Sequence, residues 1–369
     1  MRILHVIYDD LKNPWLGGGG AVRTFEIYKR LVKKHEITVI TGSYPNAKKE
    51  HKEGILYERA GSSRGYFLSR LSYSLSAPKL IKKKDHDILI DDFSAYSPCF
   101  SPLHTKKTII ASIQNLYSTH AVKKYKFGVI PFLFESRGLK LYQNFILVSP
   151  SLEAQLKTRI LKEEGSRKSR VTVIPNGVDE SLFSLKTSEE NYVLFLGRID
   201  VYQKGLDTLL EAFKEVVKHE KKVKLIIVGG GKDDDKLKRM ISKTSLDDVD
   251  FLGRVSDEKK KQLLSKCLFV CMFSRYEAYG IVAIEVAACG KPVIGTKIPG
   301  LRDTIKDGET GILVEPDDSK EAYKAMMRLI EDEHLRKNLG ISGRRWAKTF
   351  NWDAVAKMQE EFYFKCLKS

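Results

Sequence analysis

No apolar run in these 369 residues approaches the roughly 18 needed to cross a bilayer, so a spanning helix is not expected. The longest candidates, around Phe145-Ile146-Leu147-Val148 and from Cys267 to Phe273, are strand-sized. A signal-peptide layout is also missing. Met1-Arg2-Ile3-Leu4-His5-Val6-Ile7 runs straight into a strand, and a cytoplasmic protein is expected. Cysteine is scarce and odd in number: Cys99, Cys267, Cys271, Cys289 and Cys366. Cys267 and Cys271 are four apart but lie in a strand-like stretch with no His or Cys partner pair. That argues against a zinc site and for reduced, buried thiols. There is no short internal repeat, no low-complexity stretch and no motif that reads DNA or RNA, so no nucleic-acid partner is expected.

The length is too great for one typical core and suits two domains, and a hydrophobic fraction of 42% supplies both. The net charge of +17 is unevenly spread. Residues 1–170 hold 30 Lys and Arg against 15 Asp and Glu, and the remainder hold 34 against 32. Either the first half meets an anionic partner, or its basic surface is merely solubilising.

Short apolar strands alternate with amphipathic helices throughout. In the first half, 1–8, 36–41, 87–90, 108–113 and 144–148 read as strands, with a helix over 24–34. In the second half, strands over 192–196, 223–228, 249–252, 268–272 and 292–294 alternate with helices over 205–218, 233–243, 257–265, 281–289 and 320–332. Strands this apolar are covered on both faces, which implies parallel sheets with crossover helices and two doubly wound α/β domains. The polar run Lys162-Glu163-Glu164-Gly165-Ser166-Arg167-Lys168 marks the boundary. The expected division is 1–167, 168–352 and a final helix over 353–369, with Val355, Met358, Phe362 and Cys366 as its buried stripe.

In Ile281-Val282-Ala283-Ile284-Glu285-Val286-Ala287-Ala288-Cys289 every residue but Glu285 is apolar or small, so the helix is expected to be buried nearly all round. A carboxylate there needs a partner. Either Glu285 makes a structural salt bridge, or it accepts hydrogen bonds from ligand hydroxyls, as an acidic residue does with ribose in dinucleotide-binding folds. Glu277 precedes this helix, whose N-terminal amides suit a phosphate.

Ser274-Arg275-Tyr276-Glu277-Ala278-Tyr279-Gly280, then Glu285, then Gly290-Lys291-Pro292-Val293-Ile294 resembles the signature of the retaining, glycogen-synthase-like glycosyltransferases of family 4. Val173-Ile174-Pro175-Asn176-Gly177-Val178-Asp179, Leu196-Gly197-Arg198, Lys204-Gly205, Asp307-Gly308-Glu309-Thr310-Gly311 and Phe350-Asn351-Trp352 match further family motifs in order. The resemblance implies a GT-B fold, in which two Rossmann-like domains face a cleft, and transfer of a hexose from a UDP- or GDP-sugar. It implies that Glu285 holds the ribose and that Glu277 contacts the transferred sugar. Tyr279, Gly280 and Ile281 would offer backbone amides, and Arg198 and Lys204 would neutralise the diphosphate. No metal cofactor is implied.

Gly17-Gly18-Gly19-Gly20 follows the first strand; alone it reads equally as a flexible turn. In the resemblance Gly19 and Gly20 match a glycine pair facing the diphosphate. Where the family often carries a His near the sugar, this chain has Gln114, which bonds a hydroxyl but takes no proton. His120 is the substitute, or a surface histidine. The departure favours a mechanism in which the donor phosphate accepts the acceptor's proton.

The segment Tyr66–Leu75 continues to Lys79 and Lys82-Lys83-Lys84, and with Lys123-Lys124-Tyr125-Lys126-Phe127 it interleaves aromatic, aliphatic and basic residues. It suits either a helix on an anionic membrane surface, where each basic residue adds about 1 kcal/mol, or a helix packed on its own sheet. Peripheral attachment and a lipid-linked or glycan-precursor acceptor follow from the first reading. Competing readings are a basic membrane- or nucleic-acid-binding module with degenerate Rossmann folds, and another GT-B enzyme such as a nucleotide-sugar epimerase.

Overall fold

Runs of Ile, Val and Leu with no polar alternation form strands that need cover on both faces, and crossover helices supply it. The computed structural model describes residues 1–15, 18–116, 129–159, 169–220, 222–244 and 247–368. They form two units, Met1–Gly177 with Trp352–Ser369, and Val178–Asn351.

The first unit contains β1 (Arg2–Val6), β2 (Glu36–Gly42), β3 (Glu50–Lys52), β4 (Ile55–Ala60), β5 (Ile88–Asp92), β6 (Thr108–Ile113), β7 (Asn144–Leu147) and β8 (Arg170–Val173). Their order is β3-β4-β2-β1-β5-β6-β7-β8, and only β3 runs antiparallel to its neighbour. Between these strands the described α-helices are α1 (Gly19–Leu31), α2 (Tyr66–Lys83), α3 (Val129–Gly138) and α4 (Pro150–Arg159). Alternate residues of the central strands enter opposite core layers. Ile3, Val39, Ile88 and Ile90 pack with Ile27 and Tyr28 of α1, whereas Leu4, Val6, Ile40 and Leu89 pack with Tyr73, Ala77 and Ile81 of α2.

The second unit contains β9 (Tyr192–Leu196), β10 (Lys224–Val228), β11 (Val249–Gly253), β12 (Val270–Met272), β13 (Val293–Thr296) and β14 (Gly311–Val314). They form a parallel sheet in the order β11-β10-β9-β12-β13-β14. Its helices are α5 (Leu206–His219), α6 (Asp234–Thr244), α7 (Asp257–Lys266), α8 (Ile281–Ala288), α9 (Leu301–Thr304), α10 (Ser319–Glu331) and α11 (Glu333–Ala347). Phe195, Phe213, Ile227, Phe269 and Met326 centre its core.

In each sheet the strand order reverses beside one strand: β1 lies between β2 and β5, and β9 between β10 and β12. Loops at the carboxyl ends of such strand pairs diverge and open a crevice for ligands. This placement, repeated once per unit, positions the residues considered below.

The last helix, α12 (Trp352–Leu367), belongs to the first unit. Its buried stripe is Val355, Gln359, Phe362, Tyr363 and Cys366, while Met358 is 40% exposed. The expected Met358 therefore gives way to Gln359, which is buried because its polar atoms are satisfied: it accepts from Arg23 Nη2 at 2.9 Å and donates to the Tyr363 hydroxyl at 2.5 Å. The expected boundary at 167/168 is displaced as well. Its polar run, 162–168, lies outside the described residues, but β8 pairs with β7, so the first unit continues to Gly177. All five cysteines are buried and free.

Candidate functional site

Lys204 and Glu277 are 73 positions apart, and two backbone features join them. After β9 the chain turns through Asp200, whose carboxylate accepts from the Gln203 amide at 3.0 Å, and enters α5 at Gly205. Gly205 has φ +62°, and a Cβ there would stand 1.9 Å from the Phe273 carbonyl oxygen, so this turn rests directly on the backbone leaving β12. Only glycine fits such an approach. Lys204 Nζ is thereby placed on Glu277 Oε1, which Ser274 Oγ also reaches at 3.2 Å. Each side chain of the Lys204–Glu277 pair keeps 14% of its surface exposed.

Arg275 locks the same loop. Its two terminal nitrogens bond Asp207 of α5 at 2.8 and 2.9 Å, and Nε bonds Asp317 at 2.5 Å. A bidentate guanidinium–carboxylate pair fixes orientation as well as distance. The loop then enters α8 through Gly280, at φ +73° and ψ +46°, with no side-chain cap on the helix. An uncapped N-terminus leaves amides and the positive end of the helix dipole available to an anion. Tyr279 is buried, its ring edge-on to Phe350.

Glu285 departs from the expectation of all-round burial. Ala283, Ile284, Val286, Ala287 and Ala288 are buried, but Ile281, Val282 and Glu285 form a partly open stripe along α8. Lys260 of α7 pairs with both Glu285 oxygens, at 3.0 and 2.9 Å. The salt-bridge alternative is therefore realised, in a position that still meets solvent. Arg198 follows β9 with an exposed side chain and, among the described residues, no ion pair.

The first unit presents its own polar edge. Gly19 and Gly20 form the first turn of α1 rather than a loop, and the Gly18 amide donates to Asp9 at 2.8 Å, tying that turn to the end of β1. A Cβ on Gly20 would meet Ile7 at 3.4 Å and Gln114 at 3.9 Å. Gln114 Nε2 lies 3.5 Å from Asp92 and 3.4 Å from Ser112 Oγ. Behind them, buried His5 bonds the Tyr28 hydroxyl at 2.8 Å and stands 3.7 Å from Asp92. Burial raises the pKa of neighbouring Asp91, against bonds from Ser101 and Tyr142. His120 and the segment Lys123–Phe127 lie outside the described residues.

Helix α2 buries Tyr73, Ala77 and Ile81 but leaves Phe67 80% and Leu75 67% exposed, with Lys79, Lys82 and Lys83 also in solvent. No described helix is long and apolar enough to cross a membrane.

Sequence reasoning missed Lys260, Ser274, Arg275 as a clamp, Asp92 and His5. Ser274 and Arg275 lie inside the quoted motif. Lys260 and His5 carried no local signal, because their partners come from distant strands and helices.

Residues 179–346 match the family described as "Glycosyl transferases group 1", and residues 17–182 match "Glycosyltransferase Family 4". An uncharacterized glycosyltransferase of Methanocaldococcus jannaschii is 29% identical over 98% of this chain and 99% of its own. The phosphatidyl-myo-inositol mannosyltransferase of Mycobacterium leprae is 32% identical over 52% of each. Among solved structures, HepE of Anabaena, in complex with UDP-glucose, superposes with a TM-score of 0.77 at 19% identity, covering 99% of this chain and 100% of that one. These likenesses, with the two parallel sheets, identify the fold as GT-B.

Proposed function

Because the chain belongs to the GT-B, family-4-like glycosyltransferases, we propose that it transfers a hexose, with retention, from a UDP- or GDP-sugar to a hydroxyl of a lipid-linked or glycan-precursor acceptor. One observation carries the donor assignment: Glu277 is held by Lys204 and Ser274 immediately before an uncapped helix, at the carboxyl end of β12. Lys204 and Arg198 supply positive charge where a sugar–phosphate bond breaks, and the amides of Tyr279, Gly280 and Ile281 add dipoles of the same sign. These charges do the work assigned to a metal in other glycosyltransferases, so transfer proceeds without one. When donor binds, Lys204 turns from the carboxylate to phosphate, and Glu277 exchanges the ammonium for sugar hydroxyls. Glu285 accepts from the ribose while Lys260 stays its ion-pair partner.

Neither Gln114 nor any Glu277 role supplies an acceptor base. The departing phosphate oxygen takes the acceptor's proton as the new glycosidic bond forms on the same face, and nucleoside diphosphate leaves. Gly19 and Gly20 keep their assignment to the donor's diphosphate, and Gln114 serves the sugar and acceptor side of the first unit. The outward face of α2, apolar at Phe67, Leu71 and Leu75 and basic at its end, supports peripheral contact with an anionic membrane.

The test is a panel of UDP- and GDP-sugars, read by thermal shift and by slow donor hydrolysis, with and without a chelator. One donor is expected to stabilise the protein and to be hydrolysed with retained anomeric configuration. Inverted product, or loss of turnover on chelation, refutes the mechanism.

A further inference from the structure

Arg70 of α2 is used by nothing described so far, yet it is among the most carefully held side chains of the first unit. Its guanidinium carbon stands 4.8 Å from the Tyr8 ring centroid and 5.5 Å from those of Tyr66 and Tyr96. One terminal nitrogen donates to the Tyr66 hydroxyl at 2.7 Å, the other to Ser94 and Ser97 Oγ at 3.0 Å each. The Nε–H is buried and has no partner. All its acceptors are neutral hydroxyls, and among the described residues it makes no ion pair. The contrast with other arginines of this unit is informative: Arg2 pairs with Asp85 and Asp87, and Arg59 with Asp10 and Glu50. Those carry their own counter-charge; Arg70 does not.

Its place in the fold narrows the ligand. Tyr8 follows β1, and Ser94 and Ser97 follow β5, the two strands beside which the sheet order reverses. Asp9, next to Tyr8, holds the Gly18 amide at the start of α1, so Arg70 lies on the edge that also presents Gly20 and Gln114. Trp15 extends the aromatic wall, its ring edge-on to Tyr66 at 6.3 Å. A rigid guanidinium with an unused N–H, ringed by hydroxyls that can rotate to donate, matches the several oxygens of a phosphate. Aromatic faces beside it suit the C–H face of a sugar or polyol.

We propose that Arg70, with Ser94, Ser97 and the hydroxyl of Tyr66, binds a phosphate ester on the acceptor, while Tyr8, Tyr66, Tyr96 and Trp15 flank the ring that bears it. The proposal rests on the reading that the first unit receives the acceptor. It names the acceptor class as a phosphorylated sugar or polyol, free in solution or at a lipid headgroup.

Calorimetry in saturating UDP or GDP, to occupy the diphosphate site, tests it with mannose 6-phosphate, mannose and glucuronate. Co-sedimentation with vesicles of phosphatidylcholine, alone or mixed with phosphatidylinositol, tests the lipid source. Mannose 6-phosphate or the phosphatidylinositol vesicles are expected to bind wild type, and whichever binds identifies the source. Arg70→Ala and Arg70→Lys should weaken that binding about tenfold or more, the lysine lacking the fork, while Lys33→Ala, an exposed charge in the turn after α1, should not. Should Arg70→Ala fail to fold, Arg70→Lys decides. Wild-type affinity for the phosphate probes in Arg70→Lys, or equal binding of mannose or glucuronate, overturns the proposal. Arg70-dependent phosphate binding without any nucleotide-sugar turnover would instead overturn the transferase reading and leave this site standing.

Discussion

Replacing Lys204 by Met separates the structural from the chemical use of the Lys204–Glu277 pair. With each partner 14% exposed, the pair is neither a surface bridge nor a fully buried one. Stranding a fully buried charge costs about 3–5 kcal/mol, and exposed pairs contribute about 0–1. Residual hydration and the remaining Ser274 bond place Lys204→Met at about 2 kcal/mol. For a unit of this size that is a fall in melting temperature of about 4–8 °C. Lys204→Met with Glu277→Gln removes the stranded charge and should recover most of the loss, giving a coupling energy of about 1–2 kcal/mol in a double-mutant cycle. Turnover should behave differently. If Lys204 neutralises the leaving diphosphate, kcat falls about 10²–10³-fold in the single variant, and the double variant does not restore it. Scanning calorimetry of the four proteins and initial rates with the cognate donor are the assays. Recovery of turnover along with stability would show that the pair is structural only and refute the leaving-group role.

Glu285→Gln should weaken nucleoside diphosphate binding about tenfold, by calorimetry, whereas Lys260→Met should leave it within about twofold; matching losses would mean that the ion pair, not the ribose contact, matters. Gly280→Ala forces a side chain into φ +73° with its Cβ 2.7 Å from Leu301, and should cost about 1–3 kcal/mol in chemical denaturation and lower donor affinity; an unchanged midpoint would contradict the strained entry to α8. Burial pushes the Glu360 carboxyl up, but bonds from His35 and Lys34 outweigh it and its pKa lies below the ordinary value. Its folded form therefore holds its proton less tightly than the unfolded one, so the stability it adds is present above the ordinary carboxylate range and is lost as pH falls. Glu360→Gln should accordingly flatten the acid limb of a melting-temperature profile, and an unaltered slope would discount the pair. Leu71→Ser with Leu75→Ser should weaken sedimentation with anionic vesicles without changing turnover on a soluble acceptor; unchanged sedimentation removes the membrane face.

Where the chain reads as a short, mostly apolar run, strand positions were legible: 108–113 and 192–196 coincide with β6 and β9. The strand, turn and helix around Glu277 were legible because all three signals are local: they appear as β12, the turn at Gly280 and α8. Elements with weak local contrast escaped. Glu50–Lys52 is polar and pairs at the sheet margin, Gly311–Val314 is short, and Glu333–Ala347 is charged enough to resemble a linker. Lys260 on Glu285 and the tyrosines around Arg70 depend on which distant elements the topology brings together, and periodicity carries no information on that. Gln359 illustrates the same limit: its burial follows from Arg23, more than three hundred positions away.

Helix α12 also sets a temporal order on the molecule. The second unit is one uninterrupted segment, whereas the first is assembled from both ends of the chain. During synthesis the Ile27–Tyr28–Leu31 face of α1 is made before the second unit, yet the partners that cover it, Val355, Phe362 and Tyr363, emerge only after that unit is complete. Arg23 likewise waits for Gln359. The nascent first unit thus carries an uncovered apolar strip while the whole second unit is translated, and its completion reports that the ribosome has reached the end of α12. A premature stop between Asn351 and Val355 would spare every residue of the second unit and still leave that strip open, marking the product for the cell's triage of exposed apolar surface.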